Sequence, residues 1–482
     1  MKESDPSVSH EPPKTRLVHR VPVRLRQHWK VLAVLTAVVT GLTAVVGPYR
    51  IQPYITSDVT VMQSEITDNI AGTVDLFDDD AKHTLVVDIS DAQYKRMISA
   101  YEKDGDKKWV TADVVIDGTQ ISDAAVRLKG NSTLMGLGGD RARPQGAPAS
   151  GGVGGPPGGM TGMAVASAED PTSLPLLISF DENAEGRGYQ GLTELSVRPG
   201  SPVVNEALAL SLTAHTGQPS QRYAYATYTI NGKTTTRLLL EHPDEMYANS
   251  LFDTDGYLYK ADASSRLQYR GPDQSLYADQ FKQINSVDDG NLQPIINFLD
   301  WLDGADQKEF EQHLSDWVDT ESLARYLATQ NLLGNGDDMG GPGQNYYLWY
   351  DLSDKKIDVV SWDLNLAMTG GATTQPDEEV QIGPPPGTVM SGAPGGGMPD
   401  FGNQLKTRFL ASAMWAPTYH RAYWELYDQM YADGTAKALL ADIAATIPIT
   451  DGLDEQRLST AVATTGAWIA QRMESLDAAR LQ

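Results

Sequence analysis

The stretch GNGDDMGGPGQNYYLWYD, residues 334–351, places two aspartates in a glycine-rich segment directly before a run of aromatic residues. NYYLWY (345–350) and IDVVSW (357–362) have the composition of β-strands, and the DLSDKK between them is typical of a turn. In a hairpin, the start of the first strand lies beside the end of the second. The sequence therefore predicts that Asn345 lies close to Asp363.

Two further carboxylates are expected at the same end of this hairpin. Asp337 and Asp338 reach it from the preceding helix, which is predicted over 319–334 with Asp319 as its N-cap. Like charges this close cannot all stay ionised cheaply, and a divalent cation resolves the repulsion. A small set of oxygen ligands suits Mg²⁺ or Mn²⁺ bridging phosphates, and a spare aspartate can accept a proton from an attacking hydroxyl. The alternative is that these residues serve only turns and caps.

The composition is that of a folded protein and excludes several kinds of site. Of 482 residues, 41% are hydrophobic and 21% are charged, which is ordinary for a globular chain. The absence of cysteine excludes disulfides, cysteine-ligated zinc, iron–sulfur clusters and thiol nucleophiles. The 8 histidines form no HExxH pattern, which argues against a histidine zinc site.

Charge is divided unevenly along the chain. The formal charge is −25, yet residues 1–30 carry seven basic and only three acidic residues. An uncharged and nearly all-apolar stretch, VLAVLTAVVTGLTAVVG (31–47), follows at once. This pattern predicts a single transmembrane helix with its N-terminus inside and the rest exported, with a cleaved signal peptide as the alternative. The acidic remainder has no basic stripe, so nucleic acid is not an expected partner.

Strands precede helices along the rest of the chain. TLVVDISDAQYKRMISAY (84–101) predicts a strand and then a helix, and a DG turn and an NG turn predict hairpins over 111–130 and 223–242. Apolar residues at helical spacing predict helices over 205–217 and 292–319 and from about 404 to the end. Two stretches rich in glycine and proline, about 136–170 and 369–403, are predicted to be disordered insertions. The predicted parts are a basic segment 1–30, an anchor 31–47, a linker 48–75 and one α+β domain 76–482.

Eight stretches between residues 126 and 368 carry a family resemblance. They are VRLKGNSTL (126–134), LPLLISFDE (174–182), YQGLTELSVRPG (189–200), NEALALSLTAHTGQPSQRYAY (205–225), LLLEHPDEMY (238–247), GYLYKADASS (256–265), ARYLATQNLLGNGDDMGGPGQNYYLWYD (324–351) and VVSWDLNLAM (359–368). They resemble the CotH kinase family, the proteins similar to spore coat protein H, and the resemblance is collinear over roughly residues 80–430. The resemblance implies an atypical protein-kinase-like fold whose active members transfer phosphate from ATP to protein side chains.

The resemblance also implies roles for the acids and the asparagine. Protein kinases arrange a catalytic base, a metal-binding asparagine and a metal-binding aspartate in this chain order. On that pattern Asp363 resembles the metal aspartate, Asn345 the second metal ligand and Asp337 the catalytic aspartate, with Asp338 as the alternative. The segment between Asp337 and Asn345 is longer and richer in glycine than the kinase pattern.

Four further residues are expected to bind ATP on the same resemblance. Lys129 of RLKGNS would contact the nucleotide phosphates, and Glu206 would hold that lysine by an ion pair. Glu241 would meet adenine through its backbone. Lys260 would contact phosphate. Without the resemblance, Lys129 could equally be a surface lysine at a strand end, and Lys260 could extend from a strand to place its amine in solvent. For Glu206, the sequence alone favours a first-turn glutamate stabilised by the helix dipole.

These observations predict a membrane-anchored, extracytoplasmic enzyme that uses ATP with Mg²⁺ or Mn²⁺ to phosphorylate a protein hydroxyl. Two alternatives stay open at the level of sequence. One is a non-catalytic surface protein that uses the same fold to bind a partner or organise an envelope layer, since a shared fold does not establish function. The other is phosphoryl or nucleotidyl transfer to an acceptor other than protein.

Overall fold

The computed structural model describes residues 66–130, 132–137, 166–286, 291–380 and 402–481. The predicted anchor (31–47) lies outside these residues, as do the basic segment and most of the linker and of the two glycine-rich insertions. No helix within the described ranges is both long and apolar enough to cross a membrane. The described residues form helices and sheets in one α+β arrangement, which confirms that part of the prediction.

Buried and more exposed residues alternate along some strands, such as His83–Asp88 and Val110–Ile116, while others, such as Leu176–Ser179, are buried at every position. In chain order the strands are β1 (Asp68–Ile70), β2 (His83–Asp88), β3 (Val110–Ile116), β4 (Thr119–Leu128), β5 (Leu176–Ser179), β6 (Arg187–Tyr189), β7 (Glu194–Val197), β8 (Tyr223–Ile230), β9 (Lys233–Glu241), β10 (Gly256–Ala261), β11 (Phe281–Gln283), β12 (Tyr346–Asp351) and β13 (Ile357–Ser361). Among the described strands, β2-β3-β4-β5-β7-β9-β8 close into a barrel, and β11-β10-β12-β13 form an antiparallel sheet.

The barrel contains both predicted hairpins and closes through one parallel pair. Asp117 and Gly118 link β3 to β4, and Asn231 and Gly232 link β8 to β9, each with positive φ as two-residue hairpin turns require. Strand β2 pairs with β8 in parallel, whereas the other neighbours in the barrel are antiparallel. Closure leaves no unpaired barrel edge and surrounds a core of buried aliphatic side chains.

Most of the helices contribute to a second, larger core. In chain order the α-helices of the described residues are α1 (Asp91–Asp104), α2 (Val204–His215), α3 (Glu245–Ser250), α4 (Gln293–Gly304), α5 (Gln307–His313), α6 (Thr320–Leu332), α7 (Gln404–Ala411), α8 (Ala416–Tyr427), α9 (Thr435–Thr446) and α10 (Glu455–Arg480). Helix α1 packs in the barrel core and α3 in a small third cluster. Helix α6 packs against α8 and against β13, so the helical core supports the β12–β13 hairpin directly. Asp319 is the N-cap of α6, as predicted, and accepts a hydrogen bond from the Ser322 N–H.

A buried ion pair ties the start of the barrel to its first hairpin turn. The Asp117 carboxylate accepts from His83 Nδ1 at 2.8 Å and from the Thr84 N–H at 2.6 Å. The hydrogen bond to Asp117 raises the pKa of His83 from its ordinary 6.5, even though burial opposes this. Burial alone would raise the pKa of Asp117, but the hydrogen bonds from His83 and Thr84 outweigh it and lower that pKa from 3.8.

We expect the stabilisation from this pair to depend on pH. The contribution of His83 is complete below pH 6.5 and is lost as pH rises through the higher folded pKa, while that of Asp117 is lost only in acid below pH 3.8. His83→Gln should therefore cost about 1–2 kcal/mol of unfolding free energy at pH 5 and clearly less at pH 9. Urea unfolding at the two pH values measures this, with His313→Gln, from an exposed pair with Asp316, as the control. A cost that is equal at both pH values would contradict a charged pair.

Candidate active site

The glycine-rich segment after α6, residues 334–344, is termed the acid loop because it carries Asp337 and Asp338. Two of its glycines, Gly341 and Gly343, lie too close to the candidate site residues Asp337 and Asn345 to carry a side chain. A Cβ atom on Gly341 would lie 2.6 Å from Asp337 Cα, and one on Gly343 would lie 2.7 Å from an Asp337 carboxylate oxygen and 2.8 Å from the Asn345 amide nitrogen. Only glycine lets the backbone wrap this closely around the carboxylate.

Hydrogen bonds fix the orientation of Asp337 and Asn345 within the loop. The Gly343 N–H donates to Asp337 Oδ1 at 2.6 Å, and the Asn345 side-chain nitrogen donates to the Asp337 carbonyl at 2.9 Å. Because the amide nitrogen of Asn345 is used in this way, its amide oxygen is the atom that can coordinate a cation.

The β12–β13 hairpin brings Asp363 to the same end as Asn345. Tyr346 pairs with Ser361, so Asn345 precedes the first strand where Asp363 follows the second, as predicted. Asp363 has left-handed backbone angles, φ 52° and ψ 63°, which is uncommon for a residue other than glycine. Such strain persists where the surrounding structure holds a side chain in a required direction, which is typical of functional sites.

The electrostatics of this end fit a divalent cation. Burial raises the pKa of Asp337, and the nearby charges of Asp363 and Asp338 raise it further, against the hydrogen bond from Gly343. In the described part of the chain, no group of three or more acidic or histidine side chains is close enough to hold a metal alone. The Asp337 and Asp363 carboxylates could hold a cation together with the Asn345 amide, a set that would suit Mg²⁺ with water and phosphate as its other ligands.

Asp338, the alternative catalytic acid, is engaged by a lysine from another element. Lys406 of α7 contacts Asp338 Oδ2 through its Nζ at 2.6 Å, and Asp338 Oδ1 accepts from the Gly340 N–H at 2.7 Å. The Asp338 side chain is 6% exposed. Both oxygens therefore have structural partners, which leaves Asp337 as the acid better able to meet a substrate.

The predicted ion pair between Lys129 and Glu206 is wrong, because Arg198 takes its place. The Arg198 guanidinium contacts both Glu206 oxygens, one of them from Nε at 2.7 Å, and also contacts Asp363. Burial alone would lower the pKa of Arg198, but the Asp363 and Glu206 charges outweigh it and raise that pKa, so the guanidinium stays charged. A planar guanidinium can bridge two carboxylates in a way that a lysine cannot.

Lys129 and Lys260 converge on one aromatic ring beside Asp363. The Nζ atoms lie 5.4 Å (Lys129) and 4.9 Å (Lys260) from the centre of the Trp362 ring, which precedes Asp363. Burial lowers the pKa of both lysines, and that of Lys129 falls to about 7. Two amines that are costly to charge and point at one place would gain from an anionic ligand.

Glu241 does not present a free backbone to a ligand. Its N–H donates to the Arg222 carbonyl at 2.9 Å, its carbonyl accepts from the Gln221 side chain at 2.5 Å, and its carboxylate binds the Arg222 guanidinium at 2.6 Å. Glu241 thus fastens the end of β9 to the start of β8. The contact of Glu241 with adenine through its backbone stays a prediction, and the Glu241 N–H is already used within the protein.

The comparison with protein families decides the family. The model described as CotH kinase protein matches residues 201–441, half of the chain. The chain belongs to the CotH kinase family. The match covers Glu206, Glu241, Lys260 and all the acids and the asparagine at the hairpin, while Lys129 and Arg198 precede it.

A comparison with curated proteins found no match. Among solved structures, the chain is similar to the HipA, HipB toxin–antitoxin system of Shewanella oneidensis MR-1 with its operator DNA. The identity is 12%, the TM-score is 0.31, and the likeness covers 58% of this chain and 57% of that one. This CotH kinase family member thus spans less than two thirds of the chain it matches.

The sequence predicts no role for two residues that the structure of this CotH kinase family member places at the site, Arg198 and Lys406. Arg198 stands in SVRPG directly after β7 and shortly before α2, so an arginine at a strand end ahead of a helical glutamate was the available signal. Lys406 offers no such signal, because it follows the second insertion and reaches Asp338 only through the fold.

Proposed function

We propose that the chain is an ATP-dependent protein kinase-like enzyme that transfers the γ-phosphate to a protein hydroxyl with Mg²⁺ or Mn²⁺. The observation that carries this proposal is the meeting of Asp337, Asn345 and Asp363 at one end of the β12–β13 hairpin, with Arg198 against Asp363. We further propose that the barrel and the helical part act as the two halves of an atypical kinase-like fold.

The acids divide the chemistry in this proposal. Asp337 accepts the proton of the acceptor hydroxyl while that oxygen bonds to the γ-phosphorus and the bond from phosphorus to the β–γ bridging oxygen breaks. Asp363 and Asn345 would hold the cation, which neutralises charge on the transferring phosphate. Asp338 holds the shape of the acid loop through Lys406. Positioning and charge neutralisation then supply most of the rate enhancement.

The basic residues bind the phosphates in this proposal. Lys129 and Lys260, whose amines both lie near the Trp362 ring, contact them. Arg198, held by Glu206, takes the part that the ion pair of a strand lysine and a helix glutamate plays in protein kinases. Coordination of a cation by Asp363 would then compete with its contact to Arg198, and the freed guanidinium donors would face the phosphate.

We also propose that the domain works outside the membrane. The support is the basic segment followed by the uncharged stretch 31–47, a pattern that favours a membrane anchor with its N-terminus inside. The acceptor would then be a protein of the cell surface or envelope, and nucleic acid would not be a partner of so acidic a body.

Transfer of label from ATP tests the proposal. The full-length chain is incubated with γ-labelled or α-labelled ATP and Mg²⁺ or Mn²⁺, with and without a generic acceptor protein. We expect γ-label on protein, and a loss of at least ~100-fold in Asp363→Ala, because the cation loses a ligand. Asp279→Ala, at an exposed aspartate paired with Arg270, is the matched control and should keep full activity.

The other outcomes separate the alternatives. Label from the α position would indicate nucleotidyl transfer. No label from either position, together with no rise in melting temperature on adding Mg·ATP, would sink the kinase proposal and favour a non-catalytic binding protein.

A further inference from the structure

The neighbours of Lys129 form one connected chain of side chains that the proposed chemistry does not use. Lys129 Nζ contacts Ser196 Oγ and lies 3.0 Å from His242 Nδ1. His242 Nε2 in turn lies 3.3 Å from Glu194 Oε2. Glu194 and Ser196 stand two residues apart on β7, and His242 directly follows β9, the barrel neighbour of β7.

One arrangement of protons satisfies these contacts when Lys129 is charged. An ammonium group has three donors and no acceptor, so Lys129 donates to Ser196 Oγ and to His242 Nδ1. An accepting Nδ1 places the imidazole proton on Nε2, which then faces the Glu194 carboxylate. Burial and the surrounding cations hold the pKa of His242 well below its ordinary value, which keeps the ring neutral, as this arrangement requires.

We propose that Glu194 and His242 are positioning residues that hold the Lys129 ammonium in place for the phosphates of the bound nucleotide. The proposal rests on the proposed function, and it adds two residues to which neither the family pattern nor the metal site assigns a part. Two of the three Lys129 donors are directed by Ser196 and His242, so the direction of the third is set before a ligand arrives.

In this proposal Glu194 has a second role: its negative charge raises the pKa of Lys129 and so favours the charged amine. Burial lowers the pKa of Lys129 to about 7, the charges of Arg198 and Lys260 lower it too, and Asp363 and Glu194 oppose them. Burial also raises the pKa of Glu194 to about 7, to which Asp244 adds. The charged groups facing this chain of side chains are Arg127 on β4, Arg198 after β7, Glu206 on α2, Asp244 after β9, Lys260 on β10, Lys282 on β11 and Asp363 after β13.

The sign of the expected effect follows from these charges. Without the Glu194 carboxylate, less negative charge faces Lys129, so its pKa falls and the amine is neutral at a pH where the wild-type amine is still partly charged. Below about pH 6 the wild-type Glu194 is itself protonated, so wild type and variant should converge there.

Two readouts on the full-length chain test the proposal. The first is the titration of Lys129 followed by NMR of [ε-¹³C]lysine-labelled protein, with the signal assigned by Lys129→Arg. The second is the dissociation constant of Mg·ATP from pH 6 to 9. We expect Glu194→Gln to lower the Lys129 midpoint by at least about one pH unit and to weaken Mg·ATP about tenfold at pH 7.5 but little at pH 6. His242→Phe should weaken Mg·ATP as well, while His313→Phe, at an exposed histidine, should change neither readout.

The two readouts separate failure of this proposal from failure of the proposed function. An unchanged Lys129 midpoint in Glu194→Gln, with Mg·ATP still bound by the wild type, would overturn the positioning proposal alone. A wild type that binds no Mg·ATP would overturn the proposed function, and with it the ligand that this proposal names. Thermal unfolding of each variant shows that the fold is intact, so a loss of affinity cannot be mistaken for unfolding.

Discussion

Replacing Asp337 with asparagine should lower the phosphoryl-transfer rate about 10²–10⁴-fold without lowering stability. An asparagine Oδ1 can still accept from the Gly343 N–H, so the acid loop keeps its hydrogen bond. The neutral side chain, however, cannot take the proton of an acceptor hydroxyl, and loss of a general base typically costs this much. Because the charges of Asp363 and Asp338 repel the Asp337 carboxylate, removing its charge should leave the melting temperature unchanged or slightly higher.

Asp338→Asn is the matched variant, since it makes the same chemical change at the neighbouring residue. Here the Lys406 ammonium, only 16% exposed, loses its carboxylate, so the free energy of unfolding should fall by about 1–3 kcal/mol. The double variant Asp338→Asn/Lys406→Met should recover part of this loss, because it leaves no unpaired charge. Rates and urea unfolding of the three variants separate the two acids. A rate that falls more in Asp338→Asn than in Asp337→Asn, at equal stability, would assign the base to Asp338.

The features of this fold that follow from the sequence have local causes. The DG and NG turns adopt positive φ at both central residues, so each hairpin is determined by residues next to it in the chain. The N-cap of α6 at Asp319 and its end before Gly334, with φ 60°, are equally local. The position of Asn345 and Asp363 at the same end of one hairpin also follows, because it depends on hairpin geometry alone.

The features that do not follow from the sequence depend on contacts between distant parts of the chain. Closure of the barrel requires β2 to pair with β8 in parallel, and no local signal in either strand specifies that partner. Either Lys129 or Arg198 could form an ion pair with Glu206 as far as the sequence shows. Only the packed structure reveals that the Arg198 guanidinium lies between Glu206 and Asp363. In the same way, the difference between Asp337 and Asp338 arises from Lys406 on a helix beyond the second insertion.

Substitution of Arg472 on α10 should cause the largest loss of stability that we expect in the helical part of the protein. Its side chain is fully buried at 0% exposure. It donates to the Asn331 carbonyl at 2.8 Å, to Asn331 Oδ1 at 2.7 Å, to the Leu332 carbonyl at 3.3 Å, to Tyr423 Oη at 3.0 Å and to the Thr374 carbonyl. One guanidinium thus joins the last turn of α6, the segment after Asp363 and the helices α8 and α10.

Arg472→Met should therefore lower the free energy of unfolding by about 3–5 kcal/mol. Methionine is close in length and fills the space, but the hydrogen bonds from a charged donor are lost, and each such bond contributes about 1.5–3 kcal/mol. The Thr374 carbonyl loses its donor, whereas the Asn331 carbonyl, Asn331 Oδ1 and the Leu332 carbonyl keep the Gly334 N–H, Tyr423 Oη and Tyr431 Oη as donors. The matched variant Arg480→Met changes an arginine of the same helix as Arg472. It removes an exposed pair with Asp428 and should cost less than about 1 kcal/mol of unfolding free energy. Urea midpoints at equal m-values measure both. Equal losses in the two variants would contradict the view that Arg472 is a buried junction.

Arg472→Met also tests whether α10 holds the acid loop in position for catalysis. The acid loop starts at Gly334, directly after the turn of α6 that Arg472 holds, and a Cβ on Gly334 would lie 2.7 Å from the ring of Trp468, one turn before Arg472 on α10. If α10 positions the acid loop, Arg472→Met should lower the phosphoryl-transfer rate well below the unfolding temperature, and Asp337 should be the residue displaced. The pH dependence of the remaining rate should then keep its shape, because the ionising groups are still those of the wild type. If the phosphoryl-transfer rate stays at the wild-type level while the unfolding free energy falls, α10 stabilises the helical core but does not position the acid loop.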